Sequence, residues 1–240
     1  MSDASPTPFR IVHGDTTLEG FVHAPAHPGP HAAVLLFPGA TGAGPSFQKV
    51  AQELSTRGYL AIAADMYEVG ADISTPQAAG AYFEKVLADP ELLRARVVAW
   101  FDAVSAREDV DATRIAAIGY CFGGKCVLEL ARSGAAVACV TSYHGLLKTH
   151  APAQPGMVKA KVAVWSGGDD PYSPVADFDA LRAEFDAADV DYQATLFAKA
   201  KHSFTDPDHD GMLPGIAYDR LAHQVSWAGT LALLEQCLEN

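Results

Sequence analysis

The residues Gly119-Tyr120-Cys121-Phe122-Gly123, continued by Gly124, place a cysteine between two glycines in a G-x-nucleophile-x-G pattern. The pattern needs glycine for a steric reason: a nucleophile on a tight strand-to-helix turn brings backbones so close that a side chain on either flank would block them. Such a turn leaves the sulfur at a helix N-terminus. The helix dipole and a nearby imidazole would both favour thiolate there. A buried structural cysteine in a glycine-rich turn is the plainer alternative. Two further residues bear on the choice. Gly168-Asp169-Asp170-Pro171 puts carboxylates after a late apolar run, where the acid that orients a base is expected. By itself the segment also reads as an Asp-rich turn capping the next helix. His202, in Lys199-Ala200-Lys201-His202-Ser203-Phe204, follows the last apolar run and alone reads as a surface histidine. Together the three stand in the order nucleophile, acid, base, each directly after a strand-like run. That conjunction favours chemistry over three separate structural explanations.

The chemistry would be acyl transfer. His202 takes the thiol proton or holds the thiolate, Asp170 fixes the imidazole tautomer and balances the imidazolium, and Cys121 attacks a carbonyl to form a thioester. Water then resolves the thioester with His202 as base. The oxyanion needs two donors. The backbone N–H of Phe122 is one, and Pro38-Gly39-Ala40-Thr41-Gly42 supplies the other, with the N–H of Ala40 as candidate. Gly39, Tyr143 and His144 are candidates to line the pocket. His202, Asp206, Asp208, His209 and Asp210 form a polar cluster that reads as a solvated loop, not a metal site. Cys126, Cys139 and Trp165 read as core. No metal and no cofactor is expected.

These residues need a scaffold that brings strand ends together. Apolar runs at 31–37, 59–65, 114–120, 136–143, 161–167 and 190–198 alternate with helical patterns at 46–58, 76–87, 90–106, 122–132, 176–187 and 216–238. Continuous apolar strands separated by helices predict an α/β fold: a mostly parallel sheet with helices on both faces. The opening segment alternates differently and predicts an antiparallel hairpin at the N-terminal edge, turning near Gly14 and Asp15. In such sheets ligands meet the carboxyl ends of the strands. The 240 residues, 49% of them hydrophobic and 19% charged, suit one domain over residues 1–240 and exclude bulk disorder. A net charge of −12 argues against nucleic acid and anionic membrane as partners. MSDASPTPFR has neither the basic start nor the apolar stretch of a signal peptide, and no apolar run is long enough to span a bilayer. A soluble, cytoplasmic protein is expected, a monomer or a homodimer. Its four cysteines, matching no zinc spacing, should be reduced.

The sequence resembles the dienelactone hydrolase family of α/β-hydrolases over nearly its whole length. The markers are Gly58-Tyr59, Asp65-Met66-Tyr67, Gly119 to Gly124, Tyr143-His144-Gly145, Asp170-Pro171, His202-Ser203-Phe204 and the tail Ala217-Tyr218 through Ser226-Trp227. The resemblance implies the α/β-hydrolase fold, a Cys121-Asp170-His202 triad, a lactone or related ester as substrate, and Asp170 over Asp169 as the acid. Two departures stand out. The family commonly carries a glutamate that contacts the resting thiol, and here that position is Gly39. It also holds a substrate carboxylate with arginines, one of them four residues past the histidine, and here that position is Asp206. Arg94 or Arg96 could supply charge instead. A neutral ester or lactone is therefore expected. The competing reading is a non-hydrolytic, redox-sensing or ligand-binding protein on the same scaffold, with acyl transfer to an acceptor other than water as a third. Whether residues 68–91 form a lid is open at this level.

Overall fold

A segment apolar at every position, such as residues 32–37 or 60–64, is stable as a strand only if both faces are covered. In the computed structural model, which describes residues 5–239, both faces are covered by helices. The first four residues of the N-terminal decapeptide and the last residue of the chain lie outside that range. The strands are β1 (Thr7–His13), β2 (Thr16–His23), β3 (His31–Phe37), β4 (Leu60–Glu68), β5 (Val110–Tyr120), β6 (Cys139–Tyr143), β7 (Lys161–Gly167) and β8 (Tyr192–Phe197). The helices are α1 (Pro45–Thr56), α2 (Pro76–Leu87), α3 (Pro90–Ser105), α4 (Phe122–Arg132), α5 (Val175–Ala187) and α6 (Arg220–Leu238).

The strands form one sheet in the order β1-β2-β4-β3-β5-β6-β7-β8. The pairs from β4 through β8 are parallel, and β1-β2 and β2-β4 are antiparallel, so the hairpin occupies the edge as expected. It turns at Gly14-Asp15, with Gly14 at φ +57°. Strand periodicity divides the core in two. Ala33, Leu35 and Phe37 face residues of α3, α4 and α5, while Ala32, Val34 and Leu36 face α1 and α6. Each large apolar side chain so buried contributes about 1.5–3 kcal/mol.

Register brings the strand ends level. Phe37 pairs with Gly119, Tyr120 with Tyr143, and Gly167 with Phe197. The segments that follow β3, β5, β7 and β8 therefore emerge along one edge. Several boundaries differ from the pattern in the sequence; β4, for one, runs on to Glu68. β5 begins at Val110, where a register irregularity near His31 lets the chain join the sheet early. β6 is only five residues long, and begins at Cys139. α6 begins at Arg220 and not Ile216, because Asp219 caps it through the N–H groups of Leu221 and Ala222 and Ile216 pairs with His202 instead.

The helix behind the turn, α4, is buried along its whole length although it carries Lys125, Glu129 and Arg132 on one stripe. Glu129, fully buried, holds Arg132 at 3.1 Å and is engaged by Arg94 of α3. Arg132 also reaches Glu184 of α5 at 2.8 Å. Removing one partner of such a network costs about 3–5 kcal/mol because the others stay buried and unpaired. The network thus locks the element whose N-terminus carries Cys121. No helix of the described residues is long and apolar enough to cross a membrane.

Candidate active site

Cys121 joins β5 to α4 with φ +54° and ψ −112°, a conformation that L-residues rarely adopt. Backbone strain of this kind costs about 1–3 kcal/mol and persists only where its surroundings enforce it. Here the N–H of Cys121 donates to the Tyr143 carbonyl at 2.9 Å, and that of Gly123 to the Pro38 carbonyl at 3.0 Å. The flanking glycines are obligatory. A Cβ on Gly119 would lie 1.9 Å from the Gly123 oxygen, and one on Gly123 would lie 1.9 Å from the Phe37 oxygen. The turn therefore wedges the start of α4 against the end of β3.

Asp170 follows β7 and is 3% exposed. One carboxylate oxygen accepts from the N–H groups of Tyr172 (2.8 Å) and Ser173 (3.1 Å); the other accepts from Nδ1 of His202 at 2.8 Å. Asp169, half-exposed, faces Lys199 at 4.0 Å instead. His202 is buried and its backbone is clamped, with its N–H on the Gly215 carbonyl at 3.0 Å and its carbonyl receiving the Ala217 N–H at 3.2 Å. Its ring lies against Tyr172 (centroids 4.9 Å) and His144 (5.2 Å).

The imidazole also lies beside Cys121, close enough for the charge of each group to shift the other. Burial alone would push that thiol up. The opposing His202 charge and hydrogen bond, with the N–H groups of Phe122 and Ala40, outweigh it and hold Cys121 below its ordinary range. Burial likewise opposes a charged His202, yet the Cys121 and Asp170 partners raise it to about 10. Both shifts favour thiolate beside imidazolium. The structure thus brings Cys121, His202 and Asp170 together and aims the N–H groups of Ala40 and Phe122 at the same sulfur.

The other candidates are placed differently. Gly39 adjoins the thiol: a Cβ there would sit 3.5 Å from the Cys121 Cβ. Tyr143 does not line a pocket. It is fully buried, stacked on Tyr120, and its hydroxyl donates to Thr230 of α6. His144 is also buried (3% exposed), packed behind His202 with Nε2 2.9 Å from the Thr205 hydroxyl. Burial and the His202 charge keep it well below the usual histidine range, so it is neutral. Arg94 is engaged by Glu129 and the Ala151 carbonyl, and Arg96 donates to the Met66 carbonyl, so neither serves as a free anion receptor. Asp206 caps a 3-10 turn (Pro207–His209) through the Asp208 N–H. Among the described residues no group of three or more His, Cys, Asp and Glu side chains is arranged to hold a metal.

Three contributors were not legible as site residues. Tyr172 walls His202, the 215–217 segment straps its backbone, and Gly215 is required because a Cβ would lie 2.3 Å from the Pro171 ring. The third is Tyr67, whose hydroxyl donates to the Ala40 carbonyl at 2.9 Å. Only the motif Asp65-Met66-Tyr67 hinted at it. Residues 68–91 do cover one flank of the site: Phe83 of α2 meets Phe122 edge-on (5.2 Å), and Ile73 sits over Gly42.

A thiolate with an imidazolium partner and two convergent N–H donors can attack an electrophilic carbonyl and hold the resulting oxyanion. Comparison with known proteins gives the family. The chain matches the Dienelactone hydrolase family across residues 18–238. It is 33% identical to the protein named m3DLH, with a TM-score of 0.90 and 98% of each chain covered. It is 32% identical to a dienelactone hydrolase-like promiscuous phosphotriesterase from metagenomic libraries, with a TM-score of 0.87, covering 98% of this chain and 99% of that one. A Methylorubrum extorquens protein, provisionally named a carboxymethylenebutenolidase, is 26% identical over 207 residues, which is 81% of this chain and 70% of that protein. The eight-stranded sheet, the strand-to-helix turn and the match over residues 18–238 together establish that this chain belongs to the dienelactone hydrolase family of α/β-hydrolases.

Proposed function

We propose that the protein hydrolyses small, neutral carboxylic esters or lactones, with Cys121 as nucleophile, His202 as base and acid, and Asp170 as the group that orients His202. One observation carries the proposal: Cys121 is held at φ +54° on the strand-to-helix turn, and the His202 imidazole beside it is fixed by Asp170 at 2.8 Å. Attack of the thiolate on the carbonyl expels the alcohol, which takes a proton from His202, and leaves a thioester. Water attacks the thioester, gives its proton to His202, and the acid departs as the thiolate re-forms. Neutral substrates fit because Asp206 stands where an anion-binding arginine would be, while Arg94 and Arg96 are engaged elsewhere. The same thiolate could attack a neutral phosphotriester, the activity for which one 32%-identical relative is named. In this reading the chain is one catalytic domain. Four free thiols suit it to the reducing cytoplasm.

The test compares p-nitrophenyl acetate, a small lactone and a neutral aryl phosphotriester as substrates of wild type, Cys121→Ala and His202→Ala. Ester or lactone turnover lost in both variants is expected; equal rates in all three proteins refute the proposal. The redox-sensing alternative rests on Gly39, which leaves the thiolate without the family's acidic neighbour. Mass spectrometry after mild peroxide separates the two: a Cys121 that stays reduced while ester turnover is robust eliminates the alternative.

A further inference from the structure

We infer that Tyr67 is a positioning residue that holds both oxyanion donors in place, through its hydroxyl on one side and its ring on the other. The inference rests on the reading of Cys121 as nucleophile. Tyr67 is the last residue but one of β4, at the carboxyl edge of the sheet, and is 3% exposed. Its hydroxyl donates to the Ala40 carbonyl at 2.9 Å. Its ring stacks on that of Phe122, with centroids 6.2 Å apart and planes within 10°. One side chain therefore touches the two residues whose N–H groups point at the Cys121 sulfur, although they come from loops after different strands.

The Ala40 contact matters because little else holds that carbonyl. The 39–44 loop closes on itself through Gly42 N–H to Gly39 and Gly44 N–H to Gly42, which leaves Ala40 out. Anchoring the Ala40 carbonyl restricts the backbone rotations through which its N–H is aimed. Tyr67 is itself held. Its N–H donates to the Asp65 carboxylate at 3.0 Å, and Tyr82 of α2 lies against its outer flank, with centroids 5.8 Å apart. Burial, and then Asp65 nearby, push its phenol upward, so it is a donor at every working pH. A purely space-filling residue would need no hydroxyl, and a buried hydroxyl is tolerated only with a partner. Tyr143 shows the contrast: its hydroxyl turns away from the site to Thr230.

Tyr67→Phe keeps the ring and removes the bond to Ala40. The expected result is a kcat for p-nitrophenyl acetate lowered about tenfold with KM within about twofold, because the donor acts chiefly on the oxyanion. A second readout does not depend on substrate. The pH midpoint for iodoacetamide labelling of Cys121, followed by peptide mapping, should rise, since the Ala40 N–H also favours the thiolate. Tyr67→Leu removes ring and hydroxyl, and should lower kcat about 100-fold, the effect of losing one oxyanion donor. An unchanged kcat and an unchanged labelling midpoint in folded Tyr67→Phe overturn the inference. If Tyr67→Phe does not fold, Phe122→Leu tests the other contact: it removes the stacked ring but not the backbone donor, and should show the same kcat-selective loss. If wild type itself lacks Cys121-dependent turnover, the underlying reading has failed, and the labelling midpoint still decides whether Tyr67 aims Ala40.

Discussion

Asp170→Asn tests the candidate triad with the smallest change of shape. One oxygen of Asp170 accepts from the N–H groups of Tyr172 and Ser173, and the other accepts from His202 Nδ1 at 2.8 Å. In the variant, the amide oxygen is drawn to the two N–H groups. That leaves the NH2 group facing Nδ1–H, donor against donor. The imidazole must then move its ring proton to Nε2, on the Cys121 side, where it can no longer accept the thiol proton. The lost hydrogen bond to a charged group is worth about 1.5–3 kcal/mol, or about 10- to 100-fold in rate. A reversed tautomer costs about 10⁴ in kcat where the nucleophile is a hydroxyl. A thiol ionises more readily, so a loss of about 10³ in kcat/KM is expected here. His202 should also fall from about 10 toward or below its ordinary value, because burial opposes its charge and one of two partners is gone. The assay is p-nitrophenyl acetate hydrolysis at pH 7 to 8, beside a thermal melt. The melt should shift by only a few degrees, since size and the Tyr172 and Ser173 contacts persist. A kcat/KM within about threefold of wild type would show that His202 does not depend on Asp170, and the triad reading would fail.

Other expectations follow from single distances and charges. Gly39→Glu restores the family's carboxylate; the site accepts its Cβ at 3.5 Å from that of Cys121, so the fold should persist, but a second anion should raise the thiol and slow its alkylation at pH 7. Faster labelling than wild type would contradict this. Gly123→Ala drives a Cβ to 1.9 Å from the Phe37 oxygen and should destabilise by more than about 3 kcal/mol in urea unfolding; a loss under about 1 kcal/mol would mean the turn is looser than described. Iodoacetamide at neutral pH should label Cys121 and then Cys237, which accepts a hydrogen bond from Cys139 and is held at about 7, while buried Cys126 stays unreacted. Peptide mapping reads the order, and early labelling of Cys126 would count against it. In His202→Ala the imidazolium is gone and burial dominates, so Cys121 should rise above its ordinary range and its labelling at pH 7 should drop at least tenfold.

The sequence by itself was informative wherever local constraints are strong. Continuous apolar runs could only be strands covered on both faces, and α4 begins and ends where its pattern said, at Phe122 and Arg132. The glycines around Cys121 announced a crowded turn because no other residue fits there. Asp170 and His202 were legible because parallel strands of similar length must end at one edge, so residues directly after them meet. What the sequence did not reveal depends on contacts between distant segments. Tyr143 and His144 stand at the right edge, yet one turns to Thr230 and the other packs behind His202, choices set by α6 and by Thr205. Ile216 looked helical but pairs with His202, because Asp219 caps α6 later. The charged residues of α4 carry no sign in the sequence that they are buried, yet they pack against Arg94 and Glu184. Tyr67 lies 27 residues from Ala40 and 55 from Phe122 in the chain, and only the folding of β4 beside β3 gives one side chain access to both. Periodicity and steric necessity are local and can be read from the chain, whereas the direction of a side chain at a strand end is decided by what packs over it.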